Sequence, residues 1–356
     1  MDFFKKETRT ALQAIEYAQW IAHAPMVFQA SRILRDSGIL KAALDAGKAG
    51  ITLEEIVEKV KLPHYGVRVL LESGLGIGLL LVNDDKYTLT KTGHFILNDA
   101  MTRANMDFSQ DVCYEAMFYL EDSIKEEKPV GLKVFGDKWK TVYEALSELP
   151  PKVQKSWFGF DHFYSDDAFP LVLPLVFKNK PKKLMDIGGN TGKWSIACAK
   201  YNPDVQITIV DLPGQLNMAK ANIASHGLSD RITFHGANML DENLKLPAGH
   251  DAIWMSQFLD CFSEKEITSI LTRCHEAVAE NGFVYILEPF WDRQRFEAAA
   301  FSLQQTSLYF TAIANGNSQM YDSRVFVKCI EAAGFEIAEQ IDQIGVSQTL
   351  MKLKKK

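Results

Sequence analysis

The sequence predicts a mostly parallel, doubly wound α/β sheet preceded by a helical, winged-helix-like module. After residue 180, the short apolar segments KKLMDIGG, VQITIVDL, RITFHGA, HDAIWMSQ and GFVYILEP alternate with helical ones, the period of βαβ units. The first hundred residues are helical apart from one hairpin pattern. The length of 356 residues exceeds what one core accommodates, about 250–300, so more than one domain is expected.

The front segment, residues 1–100, opens with a long apolar-faced helical stretch interrupted near Pro25. Thr52 and Glu55 have capping-box spacing, Pro63 is placed to open a second helix with Val67, Leu70, Leu71 and Leu75 on one face, and LLLVNDDKYTLT reads as two strands turning through Asn83–Lys86. Helix, helix and hairpin make a winged-helix pattern. Its second helix carries one strong base, Arg68, beside Glu72, which favours packing or dimerisation over DNA binding. Residues 101–180 read as a helical, aromatic-rich linker that supplies part of an acceptor pocket, and residues 181–356 as the sheet domain. The segment GFEIAEQIDQIGVSQTLMKLKK fits two closing strands.

Composition narrows the function. The 39 basic and 45 acidic residues leave a net charge of −6, without the basic surplus of a nucleic-acid-binding face. Cys113, Cys198, Cys261, Cys274 and Cys329 show no CxxC spacing and read as reduced thiols of a cytoplasmic protein. No signal-peptide core or long apolar run suggests export or membrane insertion, and no HExxH, compact Cys/His cluster or EF-hand loop suggests a metal.

The chemistry-bearing motif is LMDIGGNTGKW. A strand ends at Asp186, and Gly188, Gly189 and Gly192 allow a tight turn that brings backbone close to a ligand before a helix begins. The glycine spacing differs from GxGxxG, and Gly192-Lys193 is followed by Trp194, so neither a nicotinamide fingerprint nor a Walker loop is present. Asp211, at the end of the second strand, is placed to accept hydrogen bonds from both hydroxyls of a ribose; an N-cap for the following helix is the alternative reading.

With DIGGNTG, VDLP, GANML, SQFLDCFSEKE and ILEPF in hand, nearly the whole chain resembles the class I S-adenosylmethionine-dependent methyltransferases, specifically the dimeric O-methyltransferases of plant phenolic type and their bacterial small-molecule relatives. The resemblance implies a Rossmann-like methyltransferase sheet behind a winged-helix-like dimerisation domain, a homodimer, and a small-molecule acceptor methylated on a hydroxyl oxygen. It also implies S-adenosyl-L-methionine as cofactor, held by Asp186, Gly188, Gly189, Gly192, Asp211, Leu212, Asn238, Met239 and Ser256.

Three departures stand out. Asn238 replaces the family's usual Asp, a change that keeps an acceptor oxygen for an adenine amino group. Asp260-Cys261-Phe262 stands where relatives have His-Asp-Trp, so the family's general-base His is absent, and Met320 stands where a Glu would orient that base. Asp260 becomes the candidate base or acceptor-positioning residue, with Glu288 as its partner; His162 is a further candidate, followed by His235 and Cys261. Phe301, Leu308, Tyr309, Phe310 and Met320 are candidate acceptor-pocket residues, with core packing as the alternative. The missing His keeps N-, S- or C-methylation and a non-methylating use of the cofactor open, and a cofactor-sensing winged-helix regulator is the rival outside enzymes.

Overall fold

The structure is a computed structural model and describes residues 3–356. The described residues divide into two compact units, 3–110 and 111–356.

In the front unit, α1 (Ala11–Ala22) and α2 (Ala24–Asp36) are separated at His23, and Pro25 lies in the first turn of α2, where its missing N–H has no helical partner to lose. Helices α3 (Ile39–Ala46), α4 (Leu53–Val60) and α5 (His64–Ile77) follow. The capping box forms: Thr52 Oγ1 accepts from Glu55 N at 3.3 Å, and Glu55 Oε2 accepts from Thr52 N at 2.9 Å. Strands β1 (Leu80–Asn83) and β2 (Lys86–Leu89) pair antiparallel across Asp84 and Asp85, both at positive φ, which matches the twist of a tight hairpin. Leu34, Ile39, Leu40, Ile56, Val67, Leu71 and Leu80 form the core. This is the helix, helix and hairpin arrangement that the sequence predicts.

Helices α6 (Lys91–Asn98) and α7 (Ala100–Phe108) complete the unit. The 101–180 boundary therefore needs adjustment. Buried Arg35 on α2 donates to Asp107 on α7 at 2.6 Å, which holds α7 to the front unit.

The remainder of that segment folds with the sheet. It holds α8 (Leu120–Glu126), α9 (Val142–Ala145), α10 (Pro151–Ser165) and α11 (Phe169–Phe177). Val172, Leu173, Val176 and Phe177 of α11 share one core with Trp194, Ile209, Trp254 and Leu287.

The chain then runs β3 (Lys183–Ile187), α12 (Lys193–Tyr201), β4 (Gln206–Asp211), α13 (Pro213–Ser225), β5 (Ile232–Gly236), β6 (His250–Ser256), α14 (Glu264–Ala277), β7 (Val278–Glu288), α15 (Glu297–Tyr309), α16 (Ser323–Ala332), β8 (Phe335–Ile344) and β9 (Gln348–Lys355). Among the described residues seven strands pair in the order β5-β4-β3-β6-β7-β9-β8; β3 to β7 are parallel, and β9 runs antiparallel to both β7 and β8. The order reverses at β3, between β4 and β6. In such sheets ligands bind at this switch point, beyond the carboxyl ends of the strands. A second core lies on the opposite face, built from residues such as Met185, Ile253, Ile270 and Phe326. Among the described residues, no helix is long and apolar enough to cross a membrane.

Candidate active site

At the end of β3, Gly188 N donates to Val210 O at 2.9 Å, and Gly192 N donates to Gly189 O at 2.7 Å, which closes the turn. Gly188 has φ +74°, and a Cβ there would lie 2.3 Å from the Phe258 ring; Gly192 has φ +77° as the N-cap of α12. Both positions require glycine. Asn190, also at positive φ, donates its backbone N–H to Asp211 Oδ2 at 2.8 Å, and Leu212 N donates to Asp211 Oδ1 at 2.7 Å. Two backbone amides thus fix the Asp211 carboxylate beside the loop while each oxygen keeps a lone pair for a further donor. Burial nevertheless raises its pKa.

Asp186 is turned inward. It is 2% exposed and accepts from Ser195 Oγ at 2.6 Å, so it braces the loop against α12. Burial raises its pKa to about 7. Asn238 is exposed, with Oδ1 accepting from Leu240 N at 3.0 Å, while Met239 is buried and its carbonyl accepts from Arg273 Nη2 at 2.6 Å. Ser256 ends β6. Its Oγ, Asn190 Oδ1, Gln257 Oε1 and His235 Nε2 are buried without a hydrogen-bond partner. A glycine turn, an oriented carboxylate and polar atoms left over at the strand ends suit a ligand bearing hydroxyl and amine groups.

The second half of the site starts where β6 ends. Gln257 sits at φ +46°, and the chain turns through Phe258, Leu259 and Asp260. Because Ser256 lies opposite Leu287 in the parallel register, Glu288 at the end of β7 faces that turn. Glu288 Oε1 accepts from Phe258 N at 2.9 Å and Leu259 N at 2.8 Å; its Oε2 has no partner although the residue is fully buried. Asp260 is 4% exposed, and its Oδ1 accepts from the Cys261 thiol at 3.4 Å. Asn315 Nδ2 donates to Cys261 O at 2.5 Å, holding the turn from the other side.

Around these carboxyls stand residues that the sequence reading did not single out as functional. The buried Tyr143 hydroxyl lies against the Cys261 thiol, near Tyr309 and Asp260, and burial raises its pKa. Trp157 Nε1 donates to Tyr309 Oη at 2.7 Å, and Asp161 lies in range of both Asp260 and Tyr309. Burial raises Asp161 to about 7 and Asp260 to about 7, and burial together with the Asp260 charge lifts Glu288 well above the usual carboxylate range. Asp161 had a signal in its neighbour: WFGFDHFY drew attention to His162. That His is half-buried, its Nε2 lies 3.9 Å from Asp161 Oδ2, and burial and Lys193 lower its pKa.

The structure therefore gathers Asp260 and Glu288 with Asp161, and places His162 toward Lys193 and the cofactor loop. Of the apolar candidates, Tyr309, Phe310 and Met320 are buried, whereas Phe301 and Leu308 are exposed, on the outward side of α15. The seven-residue spacing of these two puts them on one face of the helix, its solvent side, so core packing does not hold for them.

Comparison with known proteins fits this geometry. Residues 169–336 match the O-methyltransferase domain family, and residues 16–87 match the Dimerisation2-like domain. Residues 169–336, which carry the sheet and the strand-end loops, are thus of the class I S-adenosylmethionine-dependent O-methyltransferase family. S-adenosylmethionine is the cofactor of this methyltransferase, and a small molecule is its acceptor. It is 26% identical over 336 residues to an L-tyrosine C(3)-methyltransferase of Streptomyces lavendulae, covering 93% of this chain and 90% of that one. It is 33% identical over 246 residues to a demethylspheroidene O-methyltransferase of Cereibacter sphaeroides, covering 67% and 61%. The fold is shared with the mitomycin 7-O-methyltransferase MmcR at a TM-score of 0.71 and 16% identity, covering 96% of this chain and 98% of that one.

The raised carboxyls fix a pH dependence. In the methyltransferase, Asp161, Asp186 and Asp260 hold protons that the unfolded chain, with an aspartate pKa of about 3.9, has released above about pH 4. Their ionisation therefore lowers stability as pH rises from about 4 to about 7. Urea midpoints at about pH 5 and about pH 7.5 test this: Asp260→Asn shows a smaller loss between the two than the wild type, and an equal loss contradicts the assignment.

Proposed function

We propose that this methyltransferase transfers its methyl group to the hydroxyl oxygen of a small phenol, with Asp260 as the base and Glu288 as the partner that retains a proton beside it. The observation that carries the reading is the clipped turn: Glu288 holds Phe258 and Leu259 through their amides, which keeps its carboxyl in electrostatic range of Asp260. The cofactor would be held by the Gly188–Gly192 turn, with Asp211 and Leu212 at the ribose, Asn238 and Met239 at the adenine, and Asp186 and Ser256 supporting the loop and strand end. When bound, it supplies a methyl group already activated on a sulfonium.

What remains for the protein is to orient the acceptor and take its proton. A phenol near pKa 10 is a poor proton donor to an ordinary aspartate near 3.9. Moving Asp260 to about 7 reduces that gap by roughly three units, about 4 kcal/mol of proton-transfer free energy. Glu288, harder to ionise, carries a proton and leaves the negative charge on Asp260. Asp260 thereby takes the place of the family's His without acquiring a positive charge.

Methylation at the ring carbon beside the hydroxyl is a second reading. The relative that matches 93% of this chain is a C-methyltransferase, and carbon attack starts from the same phenolate, followed by loss of the ring proton. Methyl-labelled cofactor with a panel of phenols, read by product mass and NMR, separates O-methyl from C-methyl. Asp260→Asn lowers turnover by about 100-fold or more with S-adenosylhomocysteine affinity unchanged. Full turnover in that variant overturns the base assignment.

We also propose that the protein acts as a homodimer through α1. This helix buries none of its residues, and it exposes Leu12 at 67%, Ile15 at 62% and Ile21 at 61%, together with Trp20. A helix apolar on more than one side needs a covering partner. Residues 16–87 match a dimerisation family, which favours a second copy. Sedimentation is expected to give a dimer for the wild type and a monomer for the Ile15→Glu, Trp20→Glu double variant; a monomeric wild type contradicts the proposal.

A further inference from the structure

The carboxyls of the acceptor end outnumber the cations that face them. Asp161, Asp260 and Glu288 lie in one electrostatic neighbourhood, which also contains Asp166, Lys193, Tyr143, Tyr309 and Cys261. Lys193 is the fixed base among these groups, and its ammonium is already held by Asp166 at 2.7 Å. His162 lies 3.9 Å from Asp161 in a half-buried setting that disfavours its charged form.

Asp260 has the Cys261 thiol as its side-chain donor. The second oxygen of Glu288 is buried without a partner, and the Glu288 carboxyl lies in electrostatic range of Asp260. Buried acids left with so few donors are compensated when a bound ligand brings positive charge. Among the described residues no group of three or more acidic, His or Cys side chains is arranged to hold a metal ion, so these carboxyls do not converge on a point charge. The aromatic pair Trp157 and Tyr309, joined by their 2.7 Å hydrogen bond, stands beside Asp161 and suits an organic cation.

We propose that Asp161 is the docking carboxylate for a protonated amine on the acceptor, which makes the substrate a small hydroxyl compound that also carries a basic nitrogen. Asp161 is the accessible member of the cluster: its side chain is 25% exposed, whereas Asp260 and Glu288 are 4% and 0% exposed. The amine end reaches Asp161, and the methyl-accepting end lies deeper, toward Asp260. This rests on the reading of the cluster as the acceptor end of the site.

The test compares tyramine with 4-propylphenol, which share a ring and hydroxyl and differ by an ammonium against a methyl group. Both are titrated by calorimetry into protein saturated with S-adenosylhomocysteine, which carries no sulfonium charge. Tyramine is expected to bind about tenfold tighter or more to the wild type, with the preference lost in Asp161→Asn and kept in Asp161→Glu. Equal binding of the two probes, no binding of either, or a preference that survives Asp161→Asn overturns the proposal. If Asp161→Asn fails to fold, the wild-type preference must shrink as salt is raised from about 0.05 M to about 0.5 M, and a salt-independent preference overturns it. Binding of S-adenosylhomocysteine in the same experiment stands apart: its failure removes the reading of the site, whereas its success with equal probe binding removes only the amine.

Discussion

A fully buried carboxyl at the end of β7 holds the two halves of the site in register. Glu288 receives the amides of Phe258 and Leu259, so the turn after β6 cannot move independently of the strand beside it. That turn carries Asp260 and places the Phe258 ring against Gly188 of the cofactor loop. The parallel register of β6 and β7 brings Glu288 to this place, and the switch of strand order at β3 puts the loop next to it. Sheet topology thus becomes active-site geometry through two hydrogen bonds to one side chain. Each such bond contributes about 1–2 kcal/mol when its partners are buried, and losing the carboxyl would leave two buried amides unsatisfied.

The same burial sets the electrostatics. Asp260 and Glu288 are shut off from water and Asp161 is only partly exposed, so ionising all three together is costly, and they divide protons according to depth. The deepest keeps its proton, and the other two titrate near neutrality. A base with a pKa near the working pH combines proton affinity with availability, which a surface aspartate lacks. On the proposed reading, an aspartate raised in this way can take up a proton where the family carries a His.

Much of this was legible in the sequence. The glycine turn and Asp211 announce themselves because a tight turn needs glycine and a strand-end acid has few structural uses, and the capping box at Thr52 and the hairpin at Asp84–Asp85 are local. Asp260 and Glu288 were singled out through the family resemblance, and the structure brings them together. Asp161, Tyr143 and Asn315 were not. They reach the site from α10, from α9 and from the turn after α15, and only tertiary packing brings such distant segments together. Phe301 and Leu308, for which core packing was the alternative, lie exposed, because helical spacing identifies a face but does not say which side of it meets the core. The front boundary moved because Arg35 pairs with Asp107, an interaction between residues 72 apart in sequence.

The central claim is that Glu288 keeps a proton while Asp260 titrates near neutrality. Carbon-13 NMR of labelled side-chain carboxyls, in protein saturated with S-adenosylhomocysteine and assigned with Asp260→Asn and Glu288→Gln, reads both groups without needing an acceptor. The account predicts an Asp260 midpoint at about 7 and a Glu288 carboxyl still protonated there. An Asp260 that titrates near the ordinary aspartate value of about 3.9, with Glu288 ionised at neutral pH, would contradict it.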